Sequence, residues 1–447
     1  MIRDKRSSPP RHVDVLLVLV QLQRRVPGGI GTYGRGLIHG LEQIALEVGD
    51  SESGESLVVD LTLLLSRYPK IKDHLGKVGR WSVKEQLLPV PMLTRAWDFS
   101  MIHAPRGFNV VHSISMSIPP LSYFEAWDLR QNHRSPTNGT TKTTTKTTTK
   151  SVTKAKGLRS RSVVTVHDLA WRRYPDSTTA RGFSWHEKAL AHATQFADGI
   201  VVPSELVASE LEDTGIHPDR IWIAPGGTDH LIASDEVATD RLLRRLGVQG
   251  DFILSVGTIE PRKNLSRLLE AHRIACKDLK EPLPLVVVGP TGWGSVDVSD
   301  QAVSNVYLAG EVSSGELSGL YERALVFAYV PLTEGYGLPP LEAMRMGTPV
   351  LASSGVPSVT LYNQCARRGS NSEISPSSTS EVKGDRNLGI ALIVDPLDSE
   401  EIAHGLVQLA TDSSLRERFV ANGRAFVEQR TWKDVAYQHM NLWRSLT

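Results

Sequence analysis

The chain has 447 residues, enough for two domains, and its 40% hydrophobic and 22% charged content is that of an ordinary globular protein. A net charge of +1 gives no general attraction for nucleic acid, and two cysteines, Cys276 and Cys365, are too few for a disulfide framework or a zinc cluster. We expect both cysteines to be ordinary thiols in a reducing cytosol, and the sequence has no apolar run long enough to span a bilayer.

The first elements are a strand and a glycine-rich turn. "VDVLLVLVQL" (13–22) imitates a signal peptide, but its β-branched residues and Asp14 predict a buried strand. The following "GGIGTYG" predicts a turn that leads into a helix near Thr32 or Tyr33. Its glycines match G-x-G-x-x-G, yet no acidic residue ends a second strand at the distance that a dinucleotide site requires.

Strand-like and helix-like stretches then alternate in two blocks that join near residues 224–234. This alternation predicts two α/β domains with parallel sheets, and ligands of such sheets bind at the carboxyl ends of the strands. The expected domains are 1–227 and 228–425, followed by a terminal helical segment at 426–447. Stretches 130–161 and 363–387 are polar and of low complexity, so we expect them to be disordered insertions.

Two charged motifs follow strands. His167 and Asp168 end an apolar strand, where they either contact a substrate or form a structural pair. Arg262 and Lys263 lie in the turn between a predicted strand and the helix that follows it. Their charges either bind a diphosphate or are solvated, as basic doublets in loops often are.

A third motif, "EGYGLPPLEAM", places Glu334 in a loop and predicts that Glu342 lies in the first turn of a helix. The free N–H groups of a helix start favour phosphate, and carboxylates accept hydrogen bonds from sugar hydroxyls. The motif therefore suits a ligand that carries both groups. The alternative is a capped surface helix whose acidic first turn complements the helix dipole.

Seven stretches, taken together, resemble family 4 of the retaining glycosyltransferases, of the glycosyltransferase group 1 type. They are "GGIGTY", "TVHDLAW", "VVPSELVASEL", "APGGTD", "SVGTIEPRKNL", "YLAGEVSSGELSGLY" and "PLTEGYGLPPLEAMRMGTPVLAS". The resemblance covers nearly the whole chain except the two insertions. It implies the GT-B fold, in which two Rossmann-like domains face each other across a cleft, and a closing helix that crosses back onto the first domain.

The resemblance also implies a nucleotide-sugar site. Glu342 matches the carboxylate that binds the ribose hydroxyls, and Glu334 matches the one that faces the donor sugar. Arg262 and Lys263 match the pair that neutralises the departing diphosphate. His167 matches a histidine near the donor sugar.

Further positions complete the implied site. They are Gly29 and Gly31 over the phosphates, Val312 against the base, and Tyr336, Gly337 and Leu338 beside the sugar and diphosphate. The chain departs from the family in two places. Thr258 stands where some relatives have arginine, which leaves the cationic role to Arg262 and Lys263, and Pro331 stands where serine is common.

The resemblance implies a retaining hexosyltransferase that takes mannose or a glucose-type sugar from a GDP- or UDP-sugar to a glycan or lipid-linked acceptor. No Asp-x-Asp triplet occurs, so neither a metal nor a cofactor besides the donor is expected. The expected location is cytoplasmic, with peripheral contact at the inner face of the membrane and no nucleic-acid partner. The alternatives are a nucleotide-sugar binder without transfer activity, a GT-B epimerase or a GT-B phosphorylase. A Rossmann oxidoreductase would need the fingerprint that is missing.

Overall fold

The computed structural model describes residues 12–24, 28–49, 59–68, 81–121, 160–292, 305–360 and 389–447. The insertion predicted over 363–387 lies outside the described residues, and so does the one predicted over 130–161 apart from its last two positions. A strand begins at Arg161, the last residue of the predicted first insertion.

The first domain is built on a seven-stranded parallel sheet with the strand order β3-β2-β1-β4-β5-β6-β7. Its strands are β1 (Val13–Val18), β2 (Val59–Ser66), β3 (Ser82–Gln86), β4 (Val110–Ser113), β5 (Arg161–Thr165), β6 (Gly199–Val202) and β7 (Ile221–Ile223). Its helices are α1 (Gly28–Gly49), α2 (Val90–Asp98), the single turn α3 (Ala170–Arg173), α4 (Ala180–Phe196) and α5 (Glu205–Glu212).

The second domain is built on a six-stranded parallel sheet with the order β10-β9-β8-β11-β12-β13. Its strands are β8 (Ile253–Val256), β9 (Leu285–Val288), β10 (Val306–Gly310), β11 (Val326–Tyr329), β12 (Val350–Ser353) and β13 (Leu392–Val394). The helices from the domain junction onward are α6 (Glu236–Leu246), α7 (Leu265–Asp278), α8 (Ser314–Arg323), α9 (Leu338–Met346), α10 (Ser399–Thr411), α11 (Ser413–Glu428) and α12 (Trp432–Leu446).

The central strands form because their short apolar runs can be buried on both faces. Every residue of β4, β6, β9, β11 and β12 is buried, as expected for parallel sheets covered by helices on both sides. The prediction of two parallel-sheet α/β domains is confirmed. In each sheet the strand order reverses once, between β1 and β4 in the first and between β8 and β11 in the second. A reversal of this kind opens a crevice at the carboxyl ends of the strands.

Two predicted helix starts are wrong. Helix α1 begins at Gly28, so Gly29 and Gly31 lie in its first turn instead of in a preceding loop. Gly36 of this helix serves packing, because a Cβ there would lie 2.0 Å from the ring of Trp432. Helix α9 begins at Leu338, which puts Glu342 in the second turn and leaves the first turn without an acidic residue.

The terminal helix α12 packs against α1 of the first domain, whereas α11 packs against α9 of the second. Trp443 of α12 is fully buried, and its indole N–H donates to Nδ1 of His112 on β4 at 3.1 Å. The chain therefore crosses between the domains twice, at residues 224–235 and again between α11 and α12. Within the described ranges, none of the helices has the length and apolar character to cross a membrane.

Candidate active site

The turn after β8 presents two cations at the reversal point of the second sheet. Pro261–Lys263 form a 3₁₀ turn that ends at Asn264 in a left-handed conformation with φ +60°. The Asn264 amide donates to the carbonyl oxygens of Val330 at 2.9 Å and Pro396 at 2.7 Å. Because these bonds fix the turn beside the end of β11, Arg262 and Lys263 reach the loop that carries Glu334.

Glu334 lies between the two cations. Its Oε1 is 2.5 Å from Nζ of Lys263, and its Oε2 is 3.0 Å from the Arg262 guanidinium. The three side chains are only 10–18% exposed. Burial alone would raise the pKa of Glu334, but Arg262 and Lys263 lower that pKa to about 2. The carboxylate is therefore ionised at neutral pH.

Tyr329 at the end of β11 joins the cluster through its hydroxyl. The hydroxyl accepts a hydrogen bond from Lys263 Nζ at 2.8 Å and donates one to Glu334 at 3.0 Å. Burial, and then the Glu334 charge, raise the pKa of Tyr329 well above its ordinary value, so the group stays protonated. Glu342 also raises this pKa, which shows that both carboxylates lie near one phenol.

The Arg262 guanidinium has a second set of partners. It donates to the carbonyl oxygen of Thr333 and to Oε1 of Glu260, each at 3.0 Å. With its contact to Glu334, these bonds use three of its five N–H groups, and Lys263 uses two of its three. Within the part of the chain that the structure describes, each cation is held in place by the protein and has N–H groups left to bind a further ligand.

The start of α9 follows the Glu334 loop and offers backbone donors of its own. Gly337 caps the helix with φ +96° and provides no side-chain cap. Pro339 and Pro340 carry no N–H, so the unpaired donors expected of a first turn reduce to those of Gly337 and Leu338. The Gly337 carbonyl accepts from the Ser358 hydroxyl at 2.7 Å, which fixes this turn.

Glu342, one turn further along α9, has a polar partner on each carboxylate oxygen. Tyr321 donates to Oε2 at 2.9 Å and His230 lies 3.1 Å from Oε1, while the Glu342 side chain is 9% exposed. Burial and the adjacent carboxylate raise the pKa of Tyr321 well above its ordinary value. A carboxylate has about four acceptor positions, so Glu342 can still accept hydrogen bonds from a ligand.

The first domain closes over the Glu334 loop. Ser204 donates to the Gly335 carbonyl at 2.5 Å, and Arg173 donates to the Thr333 hydroxyl at 2.7 Å. A Cβ at Gly335 would lie 1.7 Å from the carbonyl oxygen of His167, so only glycine fits there. The His167 ring lies 2.8 Å from the Ile114 carbonyl, and burial lowers its pKa, which keeps the imidazole neutral.

The remaining predicted residues have no described contact to these cations. Tyr336 is bonded by Arg430, and burial raises its pKa to about 12. Gly29 and Gly31 follow β1, Thr258 follows β8, and Val312 follows β10 and packs half-buried against the second core. All of these positions follow the carboxyl ends of strands, where a ligand of the cleft would lie.

Several polar residues of the site were not predicted. They are Arg173, Ser204, His230, Tyr321 and Tyr329. Tyr329 occurs in the apolar stretch "LVFAYV", which predicts core, and Tyr321 occurs in a stretch with only a helical pattern. Arg173 and Ser204 become part of the site only through the packing of the two domains.

Comparison with known proteins identifies the family. Residues 147–230 match the family described as Glycosyltransferase Family 4, and residues 244–369 match the one described as Glycosyl transferases group 1. The O-antigen chain mannosyltransferase B of Escherichia coli is 30% identical over 296 residues, which cover 64% of this chain and 71% of that protein. The chain belongs to the family 4 glycosyltransferases.

Other proteins similar to this glycosyltransferase agree. The MMP alpha-(1->4)-mannosyltransferase of Mycolicibacterium hassiacum is 26% identical over 62% of this chain and 60% of its own length. Sucrose-phosphate synthase from Thermosynechococcus elongatus superposes with a TM-score of 0.65 at 18% identity, over 97% of this chain and 99% of that one. HepE from Anabaena superposes with a TM-score of 0.61 at 15% identity, over 97% of this chain and 100% of that one. The solved structures confirm the GT-B fold that the motifs imply.

Proposed function

We propose that this glycosyltransferase moves a mannosyl residue from a nucleoside-diphosphate sugar to a hydroxyl of a glycan or lipid-linked acceptor, with retention of configuration and without a metal ion. The observation that carries the proposal is the cluster of Arg262, Lys263 and Glu334, in which Glu334 lies in the loop that leads into α9. Oriented cations next to backbone N–H donors suit a diphosphate. A lipid-linked acceptor would bring the enzyme to the inner membrane surface.

The sugar is proposed from the relatives. The proteins from Escherichia coli and Mycolicibacterium hassiacum are both named as mannosyltransferases. The base of the nucleotide has separate support, because HepE, which shares the fold, was solved in complex with UDP-glucose. GDP- and UDP-linked donors are therefore the two classes to compare.

The reaction breaks the bond between the anomeric carbon and the β-phosphate oxygen, and it forms a bond from that carbon to the acceptor oxygen. The acceptor proton passes to the departing phosphate oxygen, and the nucleoside diphosphate leaves. Negative charge builds on the phosphate in the transition state, where Arg262 and Lys263 would stabilise it. Preorganised groups of this kind contribute about 3–4 kcal/mol each.

Retention is proposed to occur at one face of the sugar, without a covalent intermediate on the enzyme. Both oxygens of Glu334 accept hydrogen bonds from Arg262 and Lys263, and the cations that lower its pKa to about 2 also make the carboxylate a weaker nucleophile. Glu342 is held by Tyr321 and His230 and is assigned to the ribose. The two acids therefore do not act as the acid and nucleophile of a retaining glycosidase.

Metal independence is proposed because the protein supplies its own cations. The sequence has no Asp-x-Asp triplet to hold a metal ion on the diphosphate. Arg262 and Lys263 are placed where they could carry out the charge neutralisation that a metal ion performs in other enzymes.

The test is a panel of GDP-mannose, GDP-glucose, UDP-glucose and UDP-N-acetylglucosamine. Thermal shift would first identify the donor that binds, since a ligand specific for the folded state raises the melting temperature. Transfer from that donor to mannose-terminated glycans and polyprenol-linked sugars would follow, with and without EDTA. We expect α-linked mannose in the product and equal rates in both conditions. A β-linked product, loss of activity in EDTA, or an epimerised or phosphorolysed donor would contradict the proposal.

A further inference from the structure

A continuous chain of hydrogen bonds runs from the domain junction to Glu342. The indole N–H of Trp432 donates to Nδ1 of His230 at 3.0 Å, and Nε2 of His230 lies 3.1 Å from Oε1 of Glu342. An indole nitrogen can only donate, so Nδ1 must be the acceptor. The proton of a neutral His230 is then on Nε2, where it is donated to Glu342. The tautomer of His230 is therefore fixed by Trp432.

Trp432 is itself fixed on the first domain. Its side chain is fully buried and meets the ring of Tyr33 edge-on with centroids 5.4 Å apart. Gly36 and Gly40 of α1 leave the space that it fills, because a Cβ at either glycine would lie 2.0 Å from Trp432 atoms. Its backbone N–H donates to Asp229 at 2.7 Å.

The three residues belong to three parts of the molecule. Trp432 begins the helix that returns to the first domain, His230 lies in the segment that joins the domains, and Glu342 lies on α9 of the second domain. His230 is 20% exposed and does not take part in the proposed transfer of the sugar. Its placement between a fixed donor and the Glu342 carboxylate calls for a separate explanation.

We propose that His230 is a positioning residue for the nucleotide ribose. It holds the Glu342 carboxylate, against Tyr321 on the opposite oxygen, in the orientation that accepts both ribose hydroxyls. Trp432 extends this control to the domain junction, so that the ribose site is complete when α12 is seated on α1. The inference rests on the proposed function, in which Glu342 binds the ribose.

Two substitutions separate the two hydrogen bonds of His230. His230→Asn can accept from Trp432 near the position of Nδ1, but it is too short to reach Glu342. His230→Gln places an amide N–H near the position of Nε2 and can still donate to Glu342. The asparagine variant thus loses the contact to Glu342, while the glutamine variant keeps it.

The experiment measures, by calorimetry on the full chain, the affinities for GDP and UDP and for their 2′,3′-dideoxy counterparts. For the base that binds, we expect the native protein to prefer the ribose form by about tenfold or more, as hydrogen bonds to a charged group imply. In His230→Asn the preference should fall below about threefold with the dideoxy affinity unchanged within about twofold. His230→Gln should retain the native preference.

Three results would overturn the inference. A native ribose preference in His230→Asn would show that His230 does not position Glu342. If His230→Asn lost the same affinity for the ribose form as for the dideoxy form, His230 would have a merely structural role. A native protein that binds neither diphosphate would overturn the proposed function and this inference with it, a result that is distinguishable from the first two.

Trp432→Phe provides a second route if His230→Asn does not fold. It keeps an aromatic ring beside Gly36 but removes the N–H that sets the His230 tautomer, together with part of the indole. We expect the ribose preference to fall below the native value, and an unchanged preference would overturn the role of Trp432 and His230 in positioning Glu342.

Discussion

At the residue scale, the charges of the ion cluster formed by Arg262, Lys263, Glu334 and Glu260 balance before any donor binds. Arg262 and Lys263 are matched by Glu334 and Glu260, which gives two cations and two anions within hydrogen-bonding distance. Taking charged groups out of water is costly, and the mutual attraction of well-oriented partners offsets the cost. Glu334 therefore provides the countercharge that lets two neighbouring cations remain buried and oriented toward the cleft.

Because the pKa of Glu334 is low, we expect the free energy of unfolding to depend on pH in acid. A carboxyl group whose folded pKa is about 2, below its unfolded value of about 4.3, stabilises the folded state above pH 4.3. This contribution is lost as the pH falls toward 2. Between these values the unfolded state binds one more proton, and stability changes by about 1.4 kcal/mol per pH unit.

Urea unfolding between pH 5 and 3 would measure this effect in the native protein and in Glu334→Gln. We expect the free energy of unfolding of the variant to fall less steeply as the pH is lowered. The difference in slope should approach the value for one bound proton. The exposed Glu322 of α8 offers a matched control in Glu322→Gln. Parallel curves for the native protein and Glu334→Gln would show that the ion cluster does not contribute as described.

The sequence predicted part of this chemistry. The doublet Arg262-Lys263 and the acid Glu334 each follow a strand, which placed them on one edge of a parallel sheet. The direct pairing of Glu334 with both cations was not predicted, since the acids were expected to hold sugar hydroxyls. Tyr329 was missed because a tyrosine in "LVFAYV" has the same pattern as a core residue, and its hydroxyl finds its partners only across the turn after β8.

At the scale of elements, the start of α9 depends on one backbone conformation. Gly337 adopts φ +96°, which is accessible to glycine and strained for other residues. The neighbouring segment braces the same turn, because Ser358 donates through its backbone to Tyr336 at 2.9 Å and through its side chain to Gly337 at 2.7 Å. The loop before the helix is therefore held rigid where a diphosphate would contact it.

Gly337→Ala tests this conformation. The new Cβ would lie 2.5 Å from Cγ1 of Val356, so the cost combines backbone strain with overpacking, about 2–4 kcal/mol in all. Gly247→Ala is the matched control, because Gly247 also has a positive φ, +78°, but open space around it. It should cost only about 1 kcal/mol.

The measurement is urea unfolding together with calorimetric affinity for the nucleoside diphosphate. We expect Gly337→Ala to lose both stability and affinity, whereas Gly247→Ala loses a little stability alone. Equal effects of the two substitutions on affinity would contradict the role of this turn in binding.

The glycines of α1 show why element boundaries resist prediction. "GGIGTYGRGL" has the composition of a turn, and glycine is a poor helix former. The segment is nevertheless helical from Gly28, because Gly36 and Gly40 permit the close approach of Trp432. The partner is nearly 400 residues away in the sequence, so no local pattern could reveal it.

At the scale of the whole molecule, the two domains enclose the Glu334 loop. Ser204, Arg173 and the backbone of His167 contact residues 333–335 from the first domain. Closure of this kind excludes water and brings the acceptor side onto the donor side. The alternation of strands and helices predicted both sheets, because a parallel sheet needs a crossover after each strand. It could not predict the contacts between the sheets, which depend on the packing of the two domains.

The central claim is that Lys263, together with Arg262, binds the diphosphate of the donor. The most direct test compares calorimetric affinities for a nucleoside diphosphate and the matching monophosphate in the native protein and in Lys263→Ala. Lys277→Ala, which removes an exposed lysine from the last turn of α7, is the control. We expect Lys263→Ala to lose about 10- to 100-fold in affinity for the diphosphate and little for the monophosphate. An unchanged preference for the diphosphate in Lys263→Ala would contradict the account.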